Sequence, residues 1–227
     1  MRYKNIREGR FVSRPNRLLP VWRIDGQEEI CHVKKHWKVP GIVSSRCLCF
    51  LEKSDKKERK TAYDLIAVRK GDRLINMDSQ IPNRVVEEWL RNGGLFGEGA
   101  YIRPETKYGT SRFDLYIEQG ERKIFMEVKG VTLEEEGIVR FPDAPTERGI
   151  KHIKELCQCI KDGYEAYIMF VIQMKDVRYF EPNKKTQEAF ARALLEAEKA
   201  GVHILAYDCF VEPDSIFLGE PVEVQLI

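Results

Sequence analysis

The chain has 227 residues, 43% hydrophobic and 33% charged, with a formal net charge of +2. That length allows one large domain or two modest ones that each bury a core, and the composition is globular rather than disordered. Its longest apolar runs, such as residues 166–172, are strand-length, and the charged start Met1-Arg-Tyr-Lys does not resemble a secretory leader. These features favour a cytoplasmic protein over a membrane or exported one.

The charge is unevenly spread. Residues 1–80 hold 19 Lys and Arg against 10 Asp and Glu, a balance of +9, and the remainder holds 19 against 26, a balance of −7. A basic part joined to an acidic part suits a protein that grips phosphates with one and holds cations with the other. The six cysteines, at 31, 47, 49, 157, 159 and 209, form two Cys-x-Cys pairs and no Cys-x-x-Cys. That spacing argues against a zinc site, and a cytoplasmic setting argues against a disulfide framework.

Taken in order, residues 9–16, 18–24 and 29–33 read as short strands, with Asp25-Gly26 as a hairpin turn. Residues 63–68 and 73–77 flank a second turn at Lys70-Gly71-Asp72. Several short strands without a helix predict a small all-β barrel or sandwich over residues 1–80. From Ile81 the pattern changes. Pro82-Asn83-Arg84 opens a helix with Val85, Val86, Trp89 and Leu90 at helical spacing, stopped at Asn92-Gly93-Gly94. Strands follow around Tyr101, at 112–118 and at 122–129, the last two joined at Gln119-Gly120. Residues 146–161 predict a helix whose face carries Ile150, Ile153, Leu156, Cys157 and Ile160. A buried strand at 166–172, a helix ending at Gly201 and a strand at 202–207 complete an α/β domain over residues 81–227, its helices covering a mixed sheet.

The chemistry concentrates in Ser111-Arg-Phe-Asp114 and Phe125-Met-Glu127-Val-Lys129. Alternation on a strand puts Glu127 and Lys129 on one side, and Asp114 lies across the hairpin. Two carboxylates and a lysine amid apolar neighbours are what metal-assisted phosphodiester hydrolysis needs. Hard oxygens hold Mg²⁺ or Mn²⁺, and the lysine orients water or offsets charge on the phosphate. Glu88, on the helix after Pro82, is a further candidate carboxylate. The 146–161 helix start, with Arg148, Lys151 and His152, is a candidate phosphate contact. His152 itself is expected to be a surface residue rather than a base.

The sequence resembles the sugar fermentation stimulation protein A family. The resemblance is carried by Arg10-Phe11, Arg14-x-Asn16-Arg17, Arg59-Lys-Thr-x-Tyr63-Asp64-Leu65, Lys107-Tyr-Gly109, Ser111-Arg-x-Asp114 and Glu127-Val-Lys129. Thr132-Leu133, Phe141-Pro-Asp-Ala-Pro-Thr-Glu-Arg-Gly149 and Gly201-Val-x-Ile-Leu-Ala-Tyr207 complete it. It implies a mixed α/β protein with an N-terminal all-β OB-fold barrel followed by a restriction-endonuclease-like domain of the PD-(D/E)xK type. Carried over by position, the metal-site pattern falls on Asp114, Glu127 and Lys129, with Glu88 as the helix carboxylate. Phe113-Asp114 stands where the nuclease signature has Pro-Asp. The implied partner is DNA, either cleaved by a metal-dependent nuclease or bound by a non-catalytic regulator of sugar metabolism genes. On an OB barrel, Arg10, Arg14, Arg17, Arg23 and Lys34 would track the backbone, with Phe11 and Trp22 as stacking platforms and Arg148 assisting from the second domain.

The resemblance breaks off between residues 35 and 50. Codons for this stretch are compatible with a shifted frame reading Asn-Thr-Gly-Arg-Cys-Arg-Glu-Leu-Leu-Val-Pro-Gly-Ala-Cys-Val-Phe, similar to the family segment. A pair of compensating frameshifts would make Trp37, Cys47 and Cys49 accidental, and predicts poor packing there. Divergence of a loop is the alternative, and resequencing the gene separates the two.

Overall fold

Alternation of buried and exposed side chains builds the first sheet of the computed structural model, which describes residues 1–13, 20–33, 47–55, 59 and 61–226. Its strands are β1 (Ile6–Ser13), β2 (Val21–Ile24), β3 (Gln27–His32), β4 (Leu48–Lys53), β5 (Tyr63–Lys70) and β6 (Arg73–Asn76). They lie in the order β3-β2-β1-β4-β5-β6, and β3 also pairs with β5, which closes five strands into an OB-like barrel. The β2–β3 turn has both central residues left-handed, Asp25 at φ 50° and Gly26 at φ 83°, the geometry that follows the strand twist in a tight hairpin. Gly9 is needed inside the barrel, because a Cβ there would stand 2.7 Å from Leu51 Cδ1 and 3.1 Å from Ile24 Cγ1.

Trp22 corrects the expectation of an exposed stacking platform. On β2 it alternates with exposed Arg23, so it points inward and is fully buried. Phe11 is half-buried and packs edge-on against it, with ring centroids 5.1 Å apart. At the end of the 35–50 stretch the described residues 47–50 pack closely, although the strand irregularity expected there has a counterpart in the register shift of β4 against β5 between Phe50 and Leu51. Leu48, Cys49 and Phe50 pair regularly with β1, and Cys49 and Phe50 are buried. Cysteine is a small apolar side chain that suits this interior as valine would. Residues 35–46 of that stretch, and the candidate contacts Arg14, Arg17 and Lys34, lie outside the described residues.

The second unit opens with α1 (Ile81–Arg91), started by Pro82 in its first turn. Strands β7 (Tyr101–Tyr108), β8 (Ser111–Gln119), β9 (Arg122–Val131), β12 (Glu165–Ile172), β14 (His203–Glu212) and β15 (Ser215–Pro221) form a sheet in the order β15-β14-β12-β9-β8-β7. Its centre, β9-β12-β14, is parallel and its flanks are antiparallel, which is the mixed sheet expected. Between these come β10 (Leu133–Glu135), β11 (Ile138–Phe141) and β13 (Tyr179–Pro182), a three-stranded sheet not foreseen from the sequence. The remaining helices are α2 (Glu147–Lys161) and α3 (Lys184–Lys199). Along β12, Ile168, Phe170 and Ile172 join one core with Leu156 and Leu194, while Tyr167, Met169 and Val171 join the other with Val85 and Leu90. Thus α2 and α3 cover one sheet face and α1 the other. Among the described residues, no helix is long and apolar enough to cross a membrane.

Helix α2 is fixed at its start by Thr146, whose Oγ1 accepts the Gly149 amide at 3.0 Å. Gly149 permits the close packing, since a Cβ would meet Thr146 Cγ2 at 2.8 Å and Phe190 at 3.2 Å. Replacing Thr146 with Ala is expected to cost about 1 kcal/mol in chemical unfolding, the usual loss for an N-cap. An unchanged midpoint would mean that the Thr146 hydroxyl does not stabilise the helix start.

The two units meet through a buried apolar cluster, in which Phe50, Ile66 and Ala67 join Ile81 and Val85, and through polar contacts. Buried Glu134 takes Lys70 Nζ and Arg73 Nη1 from the barrel, each at 2.7 Å. Gln173, at the end of β12, donates to the Asn76 and Asp78 carbonyls at 3.1 Å. A Cβ on Gly130 would stand 2.5 Å from Gln173 Oε1 and 2.8 Å from Pro82, so this junction abuts the strand that carries Glu127.

Candidate metal centre

The hairpin of β8 and β9 is regular from its turn only as far as Leu115 opposite Met126. Beyond that pair the strands part, and the Asp114 carboxylate takes the place of a backbone acceptor. Its Oδ2 receives the Val128 amide at 2.8 Å and its Oδ1 receives Asn83 Nδ2, from the first turn of α1, at 2.7 Å. The β7–β8 ladder also skips a residue here, pairing Pro104 with Leu115 and Thr106 with Phe113. Glu105, opposite the skip, has φ 53°, a left-handed conformation unusual for glutamate. The local break turns Asp114 toward β9 and α1 instead of leaving it on a solvent-facing strand.

Glu127 sits one residue before Val128, on the α2 face, and is only 2% exposed. Its Oε1 accepts from Lys129 Nζ and from His152 Nδ1, the latter at 2.5 Å. Its Oε2 is buried and has no hydrogen-bond partner among the described residues. A buried carboxylate oxygen without a donor is costly in a finished fold. Burial acts to raise the Glu127 carboxyl, but the hydrogen bonds from His152 and Lys129, with the Lys129 charge, outweigh it and hold its pKa below the ordinary value. Asp114 goes the other way. Burial, then the Glu127 charge, push it up to about 6 against the opposing Val128, Lys129 and Asn83 contacts. The pair therefore repels, retains an unsatisfied oxygen, and would be relieved by a cation.

Asp114, Glu127 and Lys129 are thus brought together. Glu88 is not: it is half-exposed on a later turn of α1 and pairs with the Met1 amino group at 2.8 Å. The first-turn residue of that helix at the site is Asn83, five positions earlier. His152 corrects the surface assignment, being 4% exposed and bonded to Glu127. Its place in sequence carried the signal, since His152, Leu156 and Cys159 recur at i, i+4 and i+7 along the buried stripe of α2. Arg148 is exposed and donates through Nε to His152 Nε2 at 3.3 Å. Lys151 lies 3.5 Å from Thr110 Oγ1 and 3.8 Å from Glu155.

Among the described residues no group of three or more His, Cys, Asp or Glu side chains is placed to hold a metal. Two carboxylates remain, which is the donor set expected for Mg²⁺, an ion that takes one or two carboxylates and completes its octahedron with water and phosphate. All six cysteines are free thiols.

Residues 80–215 match the model of the sugar fermentation stimulation protein RE domain, and residues 12–77 that of the SfsA N-terminal OB domain. A sugar fermentation stimulation protein homolog of Desulfitobacterium hafniense is 57% identical over 227 residues, covering 100% of this chain and 99% of its own. One from Clostridium beijerinckii is 52% identical over 226 residues, covering 100% of both. A solved structure, Pyrococcus furiosus SfsA in complex with Ca²⁺, superposes with a TM-score of 0.87 at 28% identity, over 99% of this chain and 98% of that one. With both halves matched in order and relatives above half identity end to end, the chain belongs to the sugar fermentation stimulation protein family.

Proposed function

We propose that the chain binds DNA and hydrolyses its phosphodiester bonds with a divalent cation, Mg²⁺ or Mn²⁺, held by Asp114 and Glu127. The observation that carries this is the buried, partnerless Oε2 of Glu127 beside a carboxyl that burial and like charge push up to about 6. The Ca²⁺ complex of the archaeal relative supports divalent binding on this fold. A cation bound there supplies charge neutralisation at the phosphate and acidifies attacking water. The chain's own groups do the rest. Asn83 and the Val128 amide aim Asp114, Lys129 and His152 hold Glu127, and exposed Arg148 offers a guanidinium to phosphate.

For the DNA itself, the barrel gives support. Arg10 and Arg23 are exposed and directly opposite each other on β1 and β2. Like charges in that relation repel, and Glu28 reaches Arg23 at 3.0 Å. Both side chains are exposed, within reach of a phosphate backbone laid along the barrel. In a second reading the chain is a non-catalytic DNA-binding regulator of sugar metabolism genes, supported by the sugar fermentation stimulation name its relatives carry. Digestion of single-stranded, duplex and branched DNA with Mg²⁺, Mn²⁺ or chelator separates the two. Cleavage is expected with metal, none in chelator, and none for Lys129→Ala. Binding without cleavage under every metal would leave the regulator, and no binding would remove both. Ala at Arg10, Arg14 and Arg17 together should flatten the salt dependence of binding. An unchanged slope would move the DNA contact off the barrel.

A further inference from the structure

We infer that His152 is a positioning residue for Glu127: it fixes Oε1 so that Oε2 alone is presented to the cation, and Arg148 fixes the histidine tautomer that does this. The inference rests on the cation site proposed above. Arg148 Nε–H donates to His152 Nε2, so that nitrogen is an acceptor and carries no proton. The ring proton is then on Nδ1, where it donates to Glu127 Oε1 at 2.5 Å. The other tautomer would set an N–H against the Arg148 N–H and a lone pair against a carboxylate. Lys129 donates to the same Oε1. Two donors converge on one oxygen and none reaches the other, although both belong to a side chain that is 2% exposed. Turning the carboxylate partway about its Cγ–Cδ bond would break both bonds at once.

The surroundings hold the imidazole in place. Thr146 sets the start of α2, the ring lies edge-on to Phe113 with centroids 6.1 Å apart, and the residue is 4% exposed. Both ring nitrogens are used, and neither points to open solvent. This is the arrangement by which an outer partner orients a metal-binding carboxylate without touching the metal.

Calorimetric titration with Ca²⁺ and with Mn²⁺, on the full chain at neutral pH, tests the inference. His152→Ala should weaken either cation by about 10- to 100-fold, the usual loss for an outer partner. His152→Asn, whose amide N–H sits where Nδ1–H does, should recover most of that loss. His152→Gln, whose amide sits nearer the Nε2 position, should not. Wild-type affinity in the Ala variant, or equal loss in Ala and Asn, overturns the role of His152. If Asp114→Asn and Glu127→Gln also bind as wild type, the failure lies in the cation site itself. Should His152→Ala not fold, the ring ¹⁵N spectrum of the wild type decides: a proton on Nδ1 is expected, and a proton on Nε2 overturns the inference. Arg148→Ala, an exposed change, should lose that tautomer preference and part of the cation affinity, and retaining both removes Arg148 from it.

Discussion

Asp114→Asn and Glu127→Gln are each expected to abolish measurable binding of Mg²⁺, Mn²⁺ or Ca²⁺, a loss larger than the about 10- to 100-fold typical of an outer partner. Both substitutions keep size and shape. Asn at 114 can still accept the Val128 amide, and Asn83 can turn its own amide to meet the new one, so the diverging hairpin survives. The pH dependence adds a second readout. Because burial and then Glu127 push Asp114 up to about 6, a proton competes with the cation below that pH. Affinity should therefore rise with pH and level off above about 6. In chelator the sign for stability is the opposite. A carboxyl raised in the folded state contributes stability that is fully present below its ordinary 3.8 and is lost as pH rises through about 6. Asp114→Asn should consequently gain on the wild type across that interval when no metal is present. Cation binding by both carboxylate variants at wild-type strength would end the assignment. A pH-independent stability difference would mean that Asp114 is not buried against Glu127 as described.

The site was legible in the sequence to the extent that it follows strand alternation. Glu127 and Lys129 share a face because they are two apart on β9, and Asp114 reaches them because a tight turn at Gly120 fixes the hairpin register. What the sequence hid depends on irregularity and on distant packing. The skip at Glu105 and Asp114, which turns the carboxylate toward the Val128 amide, has no periodic signature. Asn83 and His152 come from helices on opposite faces of the sheet, so no local spacing relates them to Asp114 and Glu127. Glu88 looked suitable because a carboxylate was expected on α1, yet its turn of the helix is carried toward the chain start and Met1. In the fold, long apolar periodicities gave α1, α2 and β12 nearly to the residue. The sheet of β10, β11 and β13 was missed because three- and four-residue strands such as Leu133–Glu135 are too short to show a period. The barrel was legible as all-β from its turns, but its closure was not, since β3 pairs with β5 across a long separation in sequence.

Trp22→Ala is expected to destabilise the barrel by about 3–5 kcal/mol, the range for removing a large aromatic from a packed interior. Trp22 is fully buried and shares its core with Ile24, Leu51, Leu65 and Ile75. Phe11 packs on its edge from the neighbouring strand. The cavity cannot close easily, because a closed ladder of five strands resists inward movement at any one of them. For a chain of this length the loss corresponds to a fall in Tm of roughly 6–20 °C. The polar junction at Glu134 and Gln173 joins the barrel to the second unit, so cation affinity in the folded Trp22→Ala protein is a useful control. Trp22→Phe keeps an aromatic inside and should cost far less. It also separates a core role from a stacking role. If the tryptophan acts only through packing, Trp22→Phe binds single-stranded DNA as the wild type does, with an unchanged salt slope. A variant that stays folded yet loses that binding would return Trp22 to the nucleic-acid surface and require the barrel to open around it.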